Sequence, residues 1–371
     1  MKIALGRAAG LALIAAISVA CGSGGGGNQV TKYKYYAYVA NSTADTVSAY
    51  TLNDTSGALE AVAGSPFATG EQPVYIAIDP GGKFAYVANW LSNSVSAFSI
   101  DGATGALTGL ADSPFAAGAL PAAIAIDSSG KFAYVANFVS NNISAFSIDG
   151  AMGVLTEIAG SPFAAGDGPC SIALDPSGRF AYVTNYYLNN VSAFSIDGNT
   201  GGLTELAGSP FAAGLTPASV AIDSLGKFAY VTNFDSGDVS AYAIEAATGA
   251  LTEIAGSPFA AENGACSITI DPAGKFAYVA NFYLHDISAY AIEAATGALM
   301  AMASAPFAAG NAPVSIAVDA LGRFVYAANS QSDSVSAFSV NAMTGWLTPI
   351  NGSPFAAEGG PHSVAVVRIA Q

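Results

Sequence analysis

The chain reads as all-β: a seven-bladed β-propeller of four-stranded antiparallel blades, with the ring closed by the C-terminal strand joining the N-terminal blade. Three observations predict this. An asparagine returns at a step of 48 residues, at Asn41, Asn89, Asn137, Asn185, Asn233, Asn281 and Asn329. A Pro-Phe pair keeps the same step, from Pro66-Phe67 to Pro354-Phe355. No insertion or deletion separates the copies, and seven equal units of this length signal repeats that bury their faces only against neighbours. The ends are also offset. The N-terminal unit starts at its second strand, Tyr35–Asn41, and the C-terminus carries a spare first strand, Ser363–Ile369.

The unit after Pro169 shows how each element arises. Ser171–Asp175 is short, apolar and β-favouring. Asp175-Pro176-Ser177-Gly178 is a tight-turn sequence, in which Asp accepts backbone hydrogen bonds and Pro presets φ. Phe180–Asn185 forms the second strand, and Val191–Ile196 alternates large and small residues as a third. Asp197–Gly201 turns the chain, and a fourth strand runs from Leu203 through Ser209-Pro210-Phe211. Proline cannot donate to a ladder, so this strand lies outermost, where it also discourages edge-to-edge association. Small Ser and Ala on one blade face are expected to nest against Phe, Tyr and Ile on the next.

Tyr182-Val183-Thr184-Asn185 and Tyr230-Val231-Thr232-Asn233 spell the motif of the YVTN-repeat β-propellers, and the other copies read Tyr-Val-Ala-Asn or Tyr326-Ala327-Ala328-Asn329. The repeat from Tyr35 to Gln371 resembles the seven-bladed lactonase family, which includes 6-phosphogluconolactonase-like and carboxymuconate-cyclase-like proteins. That resemblance implies a lactonase-type hydrolase. The motif itself is a strand rather than a catalytic constellation.

Residues 1–20 read as a signal peptide. Lys2 and Arg7 form a basic start, and Ala8–Ala20 is an apolar stretch too short to span a membrane. Ser18-Val19-Ala20 precedes Cys21, which resembles a lipobox with Ser18 where Leu is preferred. Cys21 is the expected lipidation site, and residues 21–34, with the glycine run Gly22–Gly27, form a flexible tether. Gly22 lacks the Asp that resembles an inner-membrane retention signal. The expected address is therefore the bacterial cell envelope, as an outer-membrane lipoprotein, with a periplasmic or secreted chain as the alternative. The propeller, 35–371, is expected to be monomeric.

The net charge of −15, with charged residues only 10% of the chain, argues against nucleic acid and against membrane contact other than through the lipid anchor. The repeats are internal controls on which end works. The turn between strands one and two holds to Asp-Pro/Ser-x-Gly-Lys/Arg-Phe, except that Ala320 replaces Pro/Ser in one copy. Lys83, Lys131, Arg179, Lys227, Lys275 and Arg323 each follow an Asp by four residues there, a spacing that suits weak local ion pairs. The connections after the Asn and before the first strand vary instead, and antiparallel order puts both on one end. A scaffold diversifies the loops that meet a partner.

That variable end carries Asp45, Glu71, Asp167, Asp235, Asp238, Glu262, Asp286, Asp333 and Glu358, but no Lys or Arg. A phosphosugar or dicarboxylate needs cationic partners, so the expected ligand is a protein, a carbohydrate or another non-anionic molecule. Trp90, Phe138, Tyr186, Tyr187, Phe234, Phe282 and Tyr283 follow the Asn on five consecutive blades. They read either as inter-blade core or as an amphipathic ligand platform. His285 and His362 are the only imidazoles, and His285 with Asp286 or Asp238 forms a weak acid/base candidate.

Cys170, Cys266 and His362 share one repeat position, in the column Val74, Ala122, Cys170, Ala218, Cys266, Val314, His362. They are weak metal candidates. Next-but-one blades are too far apart for a disulfide, which needs Cα atoms within roughly 7 Å, so buried thiols are expected instead. No cofactor motif is present, although the acidic residues leave room for a divalent cation, without EF-hand spacing. The leading expectation is a binding propeller without catalysis; the alternative is a lactone hydrolase.

Overall fold

A computed structural model describes residues 32–303 and 305–371. The leader, Cys21 and the glycine run lie outside the described residues. Seven sheets follow one another in sequence, each an antiparallel set ordered from an inner strand outward. In the fourth blade the strands are Pro169–Leu174, Phe180–Asn185, Asn190–Ile196, and an outer edge in two pieces, Leu203–Glu205 and Phe211–Ala212.

Closure follows the expectation. The C-terminal strand Pro361–Ala370 pairs with Tyr33–Asn41 as the inner strand of the first blade. Tyr33 and Lys34 belong to this strand, opposite Ala370 and Ile369, so the sheet begins two residues before the expected boundary.

The outer strand departs from the sequence expectation of one continuous strand. Both pieces pair with the third strand, and Ser209-Pro210 interrupts them. Proline offers no N–H at that point, and the Ser209 hydroxyl accepts the Ala193 N–H at 3.0 Å in place of a ladder bond. The same Ser-to-backbone bond recurs at Ser65, Ser113, Ser161, Ser257 and Ser353.

The core lies between blades. Phe84, Tyr86 and Ala88 of the second blade pack on Ala133, Val135 and Phe146 of the third, and the pattern repeats around the ring. The motif tyrosine has a specific task here. Tyr38, Tyr86, Tyr134, Tyr182, Tyr230, Tyr278 and Tyr326 are fully buried, and each hydroxyl donates at 2.8 to 3.0 Å to a glycine carbonyl of the next blade. The last of these, Tyr326 to Gly57, crosses the closure. Each glycine must be glycine: Gly201 has φ 75° and a Cβ there would lie 2.5 Å from Phe132. Burying one such ring contributes about 2 kcal/mol, and the bond keeps its hydroxyl from being orphaned in the core.

The repeat asparagine is buried in every blade. Its Nδ2 donates to a third-strand serine hydroxyl at 2.8 to 3.0 Å, as Asn185 does to Ser192. In the third, fourth and fifth blades its Oδ1 accepts a loop glycine N–H, as from Gly166 to Asn185 at 3.1 Å. The asparagine thus ties the end of strand two to the loop that enters the blade.

The constant turns are organised by aspartate rather than by ion pairs. Asp175 Oδ1 accepts from the Arg179 and Phe180 N–H groups at 2.7 and 2.6 Å. Among the described residues only Arg323 reaches its turn carboxylate, Asp319, at 3.2 Å. The carboxylates prefer backbone donors because these are fixed by the turn, whereas a lysine must give up side-chain freedom.

Candidate functional site

Each inner strand carries a β-bulge at its start. In the fourth blade Pro169 faces Asn185 and Ser171 faces Thr184, leaving Cys170 unpaired between them. The same skip leaves out Val74, Ala122, Ala218, Cys266, Val314 and His362. A bulge re-aims the extra side chain, and these seven side chains meet around the central axis. They form the floor of a cavity of about 430 Å³ on the variable end, and the roof of a narrower chamber of about 120 Å³ below. Serines 171, 219, 267, 315 and 363 line that lower chamber.

The wall of the upper cavity is aromatic. Trp90, Phe138, Tyr186, Phe234 and Phe282 stand around the cup, one per blade, joined by Gln72. Trp90 and Phe138 have ring centroids 5.3 Å apart, Phe138 and Tyr186 5.8 Å, and Phe234 and Phe282 6.0 Å. Two backbone bonds in six of the blades, and one in the sixth blade, hold the loop after the asparagine to the loop entering the inner strand. In the second blade these are Trp90 N–H to Gln72 O at 2.9 Å and Leu91 N–H to Glu71 O at 3.3 Å.

The cup is uncharged. Burial pushes the Cys170 thiol up to about 11 and the Cys266 thiol up to about 12, so both are protonated at neutral pH and poor nucleophiles. Each donates to a carbonyl of the next inner strand, Cys170 to Pro217 O at 3.1 Å and Cys266 to Pro313 O at 3.2 Å. His362 reaches one residue further along the next inner strand, with Nδ1 3.0 Å from Val74 O. A carbonyl can only accept, so Nδ1 carries the proton and Nε2 keeps its lone pair. Burial holds this imidazole below its ordinary 6.5, which favours that neutral form. Burial first, and then nearby Asp235, raise the Tyr186 hydroxyl and keep it a donor.

The structure thus separates the sequence candidates. Trp90, Phe138, Tyr186, Phe234, Phe282, Cys170, Cys266 and His362 come together in one cavity. Tyr187 and Tyr283 stand outside it, half-exposed and edge-on to Tyr186 and Phe282 at 5.2 Å. They lie over Gly168 and Gly264, where a Cβ would come within 2.8 Å of either ring. Gln72 was not a sequence candidate. Its signal is weak: it occupies the variable loop position two residues before the bulge.

His285 lies elsewhere, on the exposed loop of the sixth blade. Its Nδ1 accepts the Ala312 N–H at 2.9 Å. Asp45, Asn93, Asn141, Asn189 and Asp333 make the same inter-blade bond through Oδ1. His285 is thus one variant of a repeated staple, at a position with positive φ in every case. Asp286 and Asp238 begin the third strands and accept from Asn281 and Asn233 at 2.8 and 2.6 Å, and neither lines the cup. Burial raises the Asp286 carboxyl. Cys170 and Cys266 are free thiols, and among the described residues no group of three His, Cys, Asp or Glu side chains is arranged to hold a metal ion.

A family model described as a seven-bladed β-propeller lactonase matches residues 28–214 and 221–365. No curated protein matches the chain. Among solved structures, a candidate 6-phosphogluconolactonase of Bacteroides uniformis aligns with 90% of this chain and 99% of its own, at 20% identity and a TM-score of 0.79. A candidate 6-phosphogluconolactonase of Bacteroides fragilis covers 90% and 98%, at 22% and 0.78. The periplasmic gluconolactonase of Pseudomonas aeruginosa covers 91% and 99%, at 19% and 0.76. At these identities the structural likenesses establish the shared fold.

Proposed function

The chain belongs to the lactonase family of seven-bladed β-propellers, and from that premise we propose that it binds an uncharged sugar-type lactone in the axial cup and hydrolyses it. The observation that carries this reading is the chemistry of the cup: a wall of aromatic rings over a floor holding one neutral imidazole and no cation. Aromatic faces suit the C–H faces of a sugar ring. The nine Lys and Arg side chains that remain of the eleven after Lys2 and Arg7 all lie outside the cup. A phosphorylated lactone would find no counter-charge there.

In this reading His362 is the general base. Its Nδ1–H is committed to Val74 O, so Nε2 takes the proton from a water that attacks the lactone carbonyl. The ring C–O bond then breaks as the tetrahedral intermediate collapses. The imidazolium returns its proton to the departing alkoxide, giving the hydroxy acid and the neutral base. Gln72 and the Tyr186 hydroxyl are the polar donors of the cup that can meet the carbonyl oxygen. The product is an anion in an uncharged cup beneath an acidic rim, which favours its release.

A second reading, binding without turnover, is favoured by the single base and by thiols that burial keeps protonated. Rates of opening of gluconolactone and 6-phosphogluconolactone, with and without divalent metal, separate the two. Hydrolysis of the uncharged lactone alone supports the proposal. Tight binding without turnover supports the second reading, and preference for the phosphorylated lactone contradicts both. The extracytoplasmic address rests on the leader sequence. A mature chain heavier than one beginning at unmodified Cys21 by a diacylglycerol and an acyl group is the expected mass.

A further inference from the structure

The cup wall is not complete. The position after the repeat asparagine is Ser42, Trp90, Phe138, Tyr186, Phe234, Phe282 and Ser330 around the ring. The two serines belong to the first and seventh blades, which are neighbours across the closure. Five rings therefore form an arc and the two small residues form one gap. The following position agrees with this, with Thr43 and Gln331 where the fourth and sixth blades carry Tyr187 and Tyr283.

Ring closure does not force the gap. Ser42 and Thr43 donate to Gly360 O and Gly359 O at 2.8 and 3.1 Å, the bonds that hold Trp90 and Leu91 in the second blade. The backbone at Ser42 and Ser330 is thus the backbone that carries rings elsewhere. The serine hydroxyls are turned down onto it, Ser42 Oγ to Gly360 O at 2.9 Å and Ser330 Oγ to Ala312 O at 3.0 Å. The entering loop is also stripped of side chains. Gly359 and Gly360 occupy it, and a Cβ at Gly359 would lie 2.6 Å from Thr43 Oγ1. These glycines lead through Pro361 directly to His362. The low, polar sector of the rim is therefore the sector that adjoins the cup's only imidazole.

We infer that this notch admits a polar extension of the ligand, and that the chain's substrates are lactones carrying a second sugar, with the lactone ring against the aromatic arc and the extension leaving between the first and seventh blades. The inference rests on the lactone reading above for the ring held in the cup. Such a substrate would come from oxidation of the reducing end of a disaccharide, a reaction class that produces an uncharged lactone. The hydroxyl and amide groups of Thr43 and Gln331 meet an extension that is itself rich in hydroxyls, and a larger bound area favours the longer ligand.

The test measures kcat/KM for gluconolactone and cellobionolactone, and the affinity of their hydrolysis-resistant lactams by calorimetry. The proteins are the wild type, Ser42→Trp/Ser330→Trp and, on the exposed position, Thr43→Trp, each checked by its melting curve. The wild type is expected to favour the disaccharide form in kcat/KM and in affinity. Closing the notch should cut both for the disaccharide by about tenfold or more while moving the monosaccharide values less than about threefold. Equal losses on both ligands, or no loss on either, would overturn the notch. If neither lactone is hydrolysed, the lactone reading fails, and the lactam affinities still decide the notch by the same comparison.

Discussion

The two ends of the propeller are built from the same strands and present different side chains. At the constant end each turn repeats one solution, an aspartate accepting the backbone N–H groups of its own turn, as Asp175 does for Arg179 and Phe180. All nine Lys and Arg of the described residues lie toward this end or the strand ends beside it; one reaches a carboxylate, and Lys34, Arg179 and Arg323 donate instead to carbonyls of the neighbouring blade, at Ala103, Ala246 and Asp54. At the variable end the backbone is equally regular. The asparagine recurs in all seven blades, and the paired loop bonds and the inter-blade staple in six each, with Tyr283 and Gly237 at the exceptions. Only the side chains projecting from that frame change. Variation at this end is thus not looseness. A rigid backbone presents a different side chain from each blade, and the β-bulge beneath aims seven more at the axis.

The comparison predicts that changes at the variable end alter chemistry without stability, and that changes in the frame do the reverse. The largest expected effect is on His362. His362→Gln should lower turnover of an uncharged lactone by about 10² to 10⁴-fold with lactam binding retained, since it removes the proposed base and keeps a donor to Val74 O. A melting temperature that fell with the activity would place His362 in the frame instead. Next comes Asn185→Ala, which strips partners from Ser192 and the Gly166 N–H. It should cost about 2 to 3 kcal/mol in denaturant unfolding. Asp175→Ala, at the opposite end, should cost about 2 kcal/mol with kcat/KM unchanged. Equal stability losses from frame positions at both ends would show that the ends differ in side chains and not in rigidity.

The pH dependence sharpens the contrast further. The folded His362 titrates below its ordinary 6.5, so its contribution to stability is present above pH 6.5. That contribution is lost as the pH falls from 6.5 through the lower folded value. Turnover should share this acidic limb, and His362→Gln should remove it from the unfolding profile. The smallest effect is expected at Tyr187. Tyr187→Ala removes an exposed ring that touches Tyr186 from outside, and should shift stability by less than about 1 kcal/mol.

The ring was legible in the sequence because its constraints repeat. A buried Asn at a fixed step, a turn Asp and a Tyr in every second strand leave a periodic record, and the spare C-terminal strand announced the closure. The break in the outer strand was not legible from Ser209-Pro210. The side chain of Ser209 replaces a ladder bond, and nothing in the pattern marks that. At the site, internal comparison picked out the end that bears the axial cup, and five of the seven aromatic candidates line it. It did not distinguish Tyr186 from Tyr187, because both follow the Asn and only the loop's path points one inward. Nor did it distinguish the two histidines. His285 aligns with Asp45 and Asn93, a column of side-chain acceptors, and that alignment was the available signal for its role as a staple. The bulge that aims His362 inward required strand register, which the sequence does not display.

The most direct test of the division between a holding end and a working end is a crystal structure with gluconolactam bound. The account predicts the lactam ring against the arc of Trp90, Phe138 and Tyr186, with its carbonyl toward His362 and the constant turns unmoved. A lactam seated on the constant turns or along the outer strands, with the axial cup empty, would contradict it.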